Sequence, residues 1–215
     1  MDENDNLKTL VQQSYDEIAQ HYLDWSAEHE SPRIPQVQKL LAKIPNPRDA
    51  DVLELGCGAG IPGTELLSRN FRTVIANDIS GAQIDLAKRN IKSGNAQFIA
   101  GDMMKLTFEP SHFDAIIAFY SIIHLPKLEQ LEMFKQIWSW LKPGGLMLCN
   151  LGTTDNPGGT KPWLGGAQMY WSGFDADQYH TILTERGFSL ISTEIISDDE
   201  DGRMVPFLWI LAQKI

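Results

Sequence analysis

Only two cysteines, Cys57 and Cys149, occur in 215 residues. No C-x-x-C spacing is present, so neither a zinc pair nor a redox pair is indicated. A disulfide between two isolated cysteines would not suit an intracellular chain. Basic residues are few: 18 Lys and Arg against 28 Asp and Glu leave a formal charge of −10. Without a dense Lys/Arg cluster, so acidic a surface repels phosphate backbones, and no nucleic-acid partner is expected. Nor is there an apolar run long enough to cross a bilayer, so no membrane partner is expected. The opening MDENDNLKTL has no apolar stretch of the kind a signal peptide needs. These absences point to a cytoplasmic protein, working as a monomer or homodimer. No grouping of side chains suggests a metal site.

What the chain does contain is ordinary for a soluble α/β domain: 43% hydrophobic and 9% aromatic residues, enough for one good core. Apolar positions at helical spacing in residues 7–27 predict an N-terminal helix, broken near Ser14, and Pro32 starts a second that stops before Pro45. Strands and helices then alternate. Strands are expected at 52–55, 72–76, 96–100, 113–119 and 146–151, with a turn at Pro143-Gly144-Gly145. Helices are expected at 62–70, 80–93, 128–141 and 175–186, the last stopped by Gly187. Strands at 188–196 and 204–212 flank a polar turn, SDDEDG, and should form a hairpin. The pattern predicts a Rossmann-like α/β fold with a seven-stranded, mostly parallel sheet, an antiparallel last strand and helices on both faces. As a single domain of 1–215, it divides into a helical cap (1–45), a ligand-binding core (50–151), a loop (152–174) and a C-terminal helix and hairpin (175–215). That loop is rich in glycine and proline yet carries Trp163, Tyr170 and Trp171, which suits a binding loop or lid better than a linker.

The segment LELGCGAGIPG (residues 53–63) holds two overlapping glycine patterns. Counted from Gly58 it is G-x-G-x-x-G, a dinucleotide signature; counted from Gly56 it is E-x-G-x-G-x-G. The dinucleotide reading puts its first glycine too far beyond the strand. It also leaves Glu54 without a role, and a carboxylate there would repel a pyrophosphate and favour an ammonium group. Asp78, at the end of the second strand, suits a pair of ribose hydroxyls, although nicotinamide proteins use the same device. Asp102 ends the third strand beside Met103, a pairing suited to an adenine amino group and ring.

In order and spacing, VLELGCGAG (52–60), VIANDIS (74–80), GDM (101–103), FDAIIAFYSIIHLP (113–126) and LKPGG (141–145) resemble the class I S-adenosylmethionine-dependent methyltransferases. The likeness is greatest to the small-molecule, quinone-biosynthesis-like group, and the closing hairpin agrees with that family's topology. S-adenosyl-L-methionine is then the implied cofactor and a small, partly apolar or aromatic molecule the implied methyl acceptor. The resemblance implies that Glu54 meets the cofactor's amino group, that Gly56, Gly58 and Gly60 bring the backbone against it, and that Cys57 lends a backbone N–H. It implies that Asp78 holds the ribose and that Asp102 and Met103 hold the adenine. Ile79, Gln83 and Phe119 complete that set. The segment 14–22 is similar to a helix that closes over the cofactor, so Tyr15 and Tyr22 cover it, with Arg33 a further candidate for its carboxylate. Tyr120, Ser121 and His124 would border the acceptor, His124 as a general base, and Trp163, Tyr170 and Trp171 would overhang it. The N/D-P-P-Y/F motif of DNA and glutamine N-methyltransferases is absent after strand four, where Phe119-Tyr120-Ser121-Ile122 stands. A non-catalytic S-adenosylmethionine-binding regulator is the alternative from another class.

Overall fold

A computed structural model of the chain describes residues 3–29, 31–200 and 202–215. Along the chain lie α1 (Glu3–Ala27), α2 (Arg33–Leu41), β1 (Asp51–Leu55), α3 (Gly63–Asn70), β2 (Thr73–Asp78), α4 (Gly81–Asn90) and β3 (Ala96–Ala100). Then come β4 (Phe113–Ala118), α5 (Lys127–Trp140), β5 (Leu141–Gly152), β6 (Asn156–Trp163), β7 (Ala167–Gly173), α6 (Ala176–Arg186), β8 (Phe188–Asp199) and β9 (Met204–Lys214). The main sheet has the order β3-β2-β1-β4-β5-β9-β8. β1 to β5 pair in parallel, and β9 enters antiparallel to both β5 and β8.

The central strands are apolar on both faces because helices cover both. Alternation along each strand sends Leu53, Leu55, Ile116 and Ala118 toward Met133, Phe134 and Ile137 of α5 and Leu183 of α6. Val52, Val74, Ala115 and Ile117 face Val37 and Leu40 of α2, Leu67 of α3 and Ile84 of α4. Local signals set several boundaries. Ser80 caps α4 by accepting from the Gln83 N–H, Asp175 and Gln178 form a reciprocal capping box on α6, and Gly187 ends α6 in the left-handed conformation.

Three expectations differ from the structure. α1 is unbroken through Ser14, whose hydroxyl donates to the Gln168 carbonyl at 2.6 Å and so needs no local kink. Pro143-Gly144-Gly145 lies within the span of β5, where the pairing with β4 is irregular. The 152–174 segment is not a loop: β6 and β7 form a separate antiparallel ribbon. It holds its shape because Trp163, Met169 and Tyr170 are buried with Val11 and Ile18 of α1.

Gln130 ties three elements together. Fully buried, it donates to the carbonyls of Leu125 (2.9 Å) and Ser172 (3.0 Å) and accepts from the Tyr179 hydroxyl (2.6 Å). Gln130→Leu would strand at least two buried polar groups at roughly 1–3 kcal/mol each. A urea titration is expected to show a loss of about 2–5 kcal/mol; a loss under about 1 kcal/mol would show that the network is dispensable.

Candidate functional site

The strand order reverses between β1 and β4, and in an open parallel sheet that is where a crevice forms beyond the carboxyl ends of the strands. A cleft of about 920 Å³, the open solvent at its mouth included, lies there. Its floor is made by the tips of four adjacent strands: Glu54 of β1 with Gly56 to Gly58 after it, Asp78 at the end of β2 with Ile79 after it, Asp102 and Met103 after β3, and Phe119 to Ser121 after β4. Its roof comes from outside the sheet: Lys8, Tyr15 and Tyr22 of α1, and Arg33 of α2. α1 is fastened at both flanks. Lys8 Nζ meets Asp102 at 2.7 Å and Glu129 at 3.2 Å, while Asp16 accepts from the Ser80 hydroxyl at 2.6 Å and the Ala82 N–H at 3.1 Å.

The acidic side chains differ in state. Glu54 is buried and accepts a hydrogen bond from Thr64 Oγ1. Burial raises its pKa to about 8, with Thr64 and Arg33 opposing and Asp78 adding to the rise. Asp78 accepts the Gly58 N–H on one oxygen (2.8 Å) and the Ser80 N–H on the other (2.9 Å), so its carboxylate is fixed in orientation. Burial raises its pKa to about 6 against these hydrogen bonds. Asp102 caps the turn at Met103–Lys105 through the Met104 N–H (2.9 Å), and its other oxygen is held by Lys8. The adenine role expected of Asp102 therefore has a competitor that the sequence did not announce.

Glycine is required where the chain leaves β1. Gly56 (φ +77°) and Gly58 (φ +54°) take conformations that L side chains rarely adopt. A Cβ on Gly58 would project into the cleft, 3.8 Å from both Gln83 and Tyr22. Gly60 is turned elsewhere, against Ala87 and Ile91, and is not part of the lining. The Cys57 N–H is already donated to the Asn77 carbonyl at 2.9 Å, so it is not free for a ligand as expected. Gln83 is buried at the cleft wall with neither its amide N nor its O partnered among the described residues. Such an unpaired amide is costly unless a ligand satisfies it.

His124 is buried, and its tautomer follows from its neighbours. Its Nδ1 lies 2.7 Å from the Tyr170 carbonyl, which only accepts, so Nδ1 carries the proton. Nε2 then accepts from the Tyr15 hydroxyl at 3.0 Å. Burial lowers its pKa to about 4, so it is neutral near pH 7 with its one lone pair engaged. In place of the expected free base, the arrangement offers an anchor that aims the Tyr15 oxygen.

A second, smaller cavity of about 290 Å³, the open solvent at its mouth included, adjoins the cleft across Tyr15, Tyr22, Tyr120 and His124. Its other walls include Trp163, Trp171, Phe207 and Glu200. Tyr170 lines neither cavity; its side chain packs under α1. Tyr120 holds a strained backbone (φ +50°), with its N–H on Asn150 Oδ1 at 2.7 Å and its hydroxyl donating to Asp198. The Arg33 guanidinium sits 4.4 Å from the centre of the Tyr120 ring and donates to the Tyr22 hydroxyl at 3.2 Å. Sequence reasoning missed Lys8 and Glu200. Both lie in surface-like polar runs, and only tertiary packing turns them inward. Among the described residues there is no group of His, Cys, Asp and Glu able to hold a metal, and no helix long and apolar enough to cross a membrane.

Residues 52–145 match a family model described as a methyltransferase domain. The chain is similar to sterol 24-C-methyltransferase erg6 of Aspergillus fumigatus, 28% identical over 173 residues that cover 75% of this chain and 45% of that one. It is also similar to sterol 24-C-methyltransferase ERG6 of Saccharomyces cerevisiae, 38% identical over 98 residues, 44% of this chain and 25% of that one. It thus spans less than half the length of these curated relatives. Among solved structures it is similar to 1,6-didemethyltoxoflavin-N1-methyltransferase of Burkholderia thailandensis, determined with 1,6-didemethyltoxoflavin and S-adenosylhomocysteine. There the TM-score is 0.76 at 19% identity, over 100% of this chain and 91% of that one. At that identity the likeness is one of fold.

Proposed function

We propose, from the premise that residues 52–145 form a class I S-adenosylmethionine-dependent methyltransferase domain, that the chain transfers a methyl group to a small, partly apolar or aromatic molecule. The observation that carries this reading is the single cleft onto which Glu54, the glycine turn, Asp78 and Asp102 all open, at successive strand tips. The residues present fit the cofactor. The unpartnered Gln83 amide, beside the bare backbone of Gly58, marks a wall built to be covered by a polar ligand. In this reading Asp78 holds the ribose hydroxyls and Glu54 faces the ammonium group. Ile79, Met103 and Phe119 flank the adenine end, and Arg33 with Tyr22 is placed for the carboxylate.

When bound, the cofactor supplies a methyl on a sulfonium, an electrophile with a good leaving group. What the chain adds is alignment and exclusion of water, worth up to about 7–11 kcal/mol where orientation is good. Tyr15 and Tyr22 shield the reacting centre, His124 fixes Tyr15, and Tyr120, Ser121, Trp163 and Trp171 border the acceptor. We further propose a cytoplasmic protein acting as a monomer or homodimer without nucleic acid, a reading supported by its two buried free thiols and its acidic charge.

Calorimetry is expected to show one S-adenosylhomocysteine bound per chain and no binding of NADH. Incubation with S-adenosylmethionine and an acceptor panel should then yield a product one methyl heavier. Binding without any methylated product across the panel would favour the regulatory alternative, and NADH binding in its place would overturn the cofactor assignment.

A further inference from the structure

We propose that the second cavity is the acceptor chamber and that it selects a basic primary or secondary amine, received as an ammonium ion between the aromatic rings and Glu200. This rests on the methyltransferase reading and goes beyond it in naming the acceptor's chemistry. The acidic end of β8 stands outside the residues assigned to the cofactor, yet it reaches the site: Asp198 takes the Tyr120 hydroxyl and Glu200, just beyond the strand, lines the chamber.

Six aromatic side chains, Tyr15, Tyr22, Tyr120, Trp163, Trp171 and Phe207, make up most of the chamber wall. Ring faces attract cations, most strongly when water is excluded. Glu200 adds a carboxyl group, and none of its ion pairs with Lys or Arg is closed among the described residues. Its burial and the neighbouring Asp198 push its pKa up to about 7, with Arg33 and the Trp163 indole opposing. The one cation nearby, Arg33, acts on Glu200 through space without closing an ion pair with it among the described residues. Arg33 is committed to the Tyr120 face and the Tyr22 hydroxyl, and His124 is neutral. An uncharged acceptor would strip water from Glu200 and give nothing back, which is costly; an ammonium would pair with it.

The chemistry balances. The bound ammonium gives one N–H proton to the Glu200 carboxylate. The freed nitrogen lone pair then forms the N–C bond to the methyl carbon as the C–S bond breaks, with the bonding pair staying on sulfur. The product is an N-methylated ammonium, and Glu200, partly exposed, returns its proton to solvent.

Choline and its uncharged isostere 3,3-dimethylbutan-1-ol have the same shape and separate charge from size. Trp163 and Trp171 line the chamber, so their fluorescence reports occupancy directly. Choline is expected to bind at least about tenfold more tightly than the alcohol. Glu200→Gln and Trp171→Leu should each erode that preference, while S-adenosylhomocysteine affinity, read by calorimetry, stays within about twofold. Equal binding of the two probes, or an unchanged preference in Glu200→Gln, overturns the proposal. If S-adenosylhomocysteine binds and the choline preference is missing, this inference fails and the methyltransferase reading stands. If the preference holds and S-adenosylhomocysteine does not bind, the cation site stands and that reading fails. In turnover, amines should be methylated and phenols of matched size should not.

Discussion

Asp78→Asn is expected to bind S-adenosylhomocysteine at least about a hundredfold more weakly than the natural chain while folding normally. Hydrogen bonds to a charged acceptor contribute about 1.5–3 kcal/mol each. Each oxygen of Asp78 already takes one backbone N–H, from Gly58 and from Ser80, and each keeps a lone pair for the cleft. Two ribose hydroxyls lost from such a carboxylate remove about 3 kcal/mol or more, and tenfold in affinity is about 1.4 kcal/mol. Asparagine is the better test than alanine, because it keeps an acceptor for one backbone N–H and spares the turn. A pH series adds a second readout. The folded-state pKa is raised, from 3.8 to about 6, so binding that needs the carboxylate has a step there, weakening as pH falls through 6, distinct from any step that Glu54 sets near 8. Asp78→Asn should lack that step. A loss in affinity under tenfold, with the melting curve unchanged, would remove Asp78 from the site.

The parts of this protein that local sequence foretells are those whose cause is local. A strand ending in Glu54-Leu55 and running into Gly56 and Gly58 turns on positive φ at both glycines, and the glycine spacing marks the turn. Ser80 and Asp175 are capping residues by type and by position, three residues ahead of the groups they engage. The β6–β7 ribbon has no such cause. Its glycines and prolines erase any alternation, its pairing is irregular between Asn156 and Gly159, and it forms because Trp163, Met169 and Tyr170 find cover beneath α1. The partners of the site carboxylates are hidden for the same reason. Lys8 reaches Asp102 across 94 positions of chain, and Tyr15 reaches His124 across 109. That second contact changes the expected chemistry, since a histidine read as a base has its lone pair occupied by a hydroxyl. Type and spacing placed the residues at strand tips; only packing shows which of their lone pairs are free.

Proton release is the result expected of Glu54. With a pKa of about 8 in the ligand-free protein, its carboxyl is about nine-tenths protonated at pH 7. An ammonium group brought against it favours the ionised form, so cofactor binding must expel close to one proton there. Calorimetric titrations in phosphate and in Tris, whose ionisation enthalpies differ widely, should give heats that differ by that proton; Glu54→Gln should give equal heats and an affinity lower by about tenfold or more. The same group sets a stability profile. Its pKa is raised above the unfolded value of 4.5, so the folded state holds the proton longer than the unfolded chain does, and stability falls as pH rises from 4.5 to about 8. At about 1.4 kcal/mol per pKa unit the loss is at most roughly 5 kcal/mol. Asp78 adds to it in the same direction between 3.8 and about 6. The ligand-free protein should therefore melt highest in weakly acidic solution, and Glu54→Gln should melt above the natural chain at pH 9. Saturating cofactor product, which lacks the sulfonium but keeps the ammonium, should recover most of that loss in the natural chain and little of it in the variant. Heats independent of buffer, or a melting temperature that rises with pH in the ligand-free chain, would place the charge of Glu54 outside the binding event.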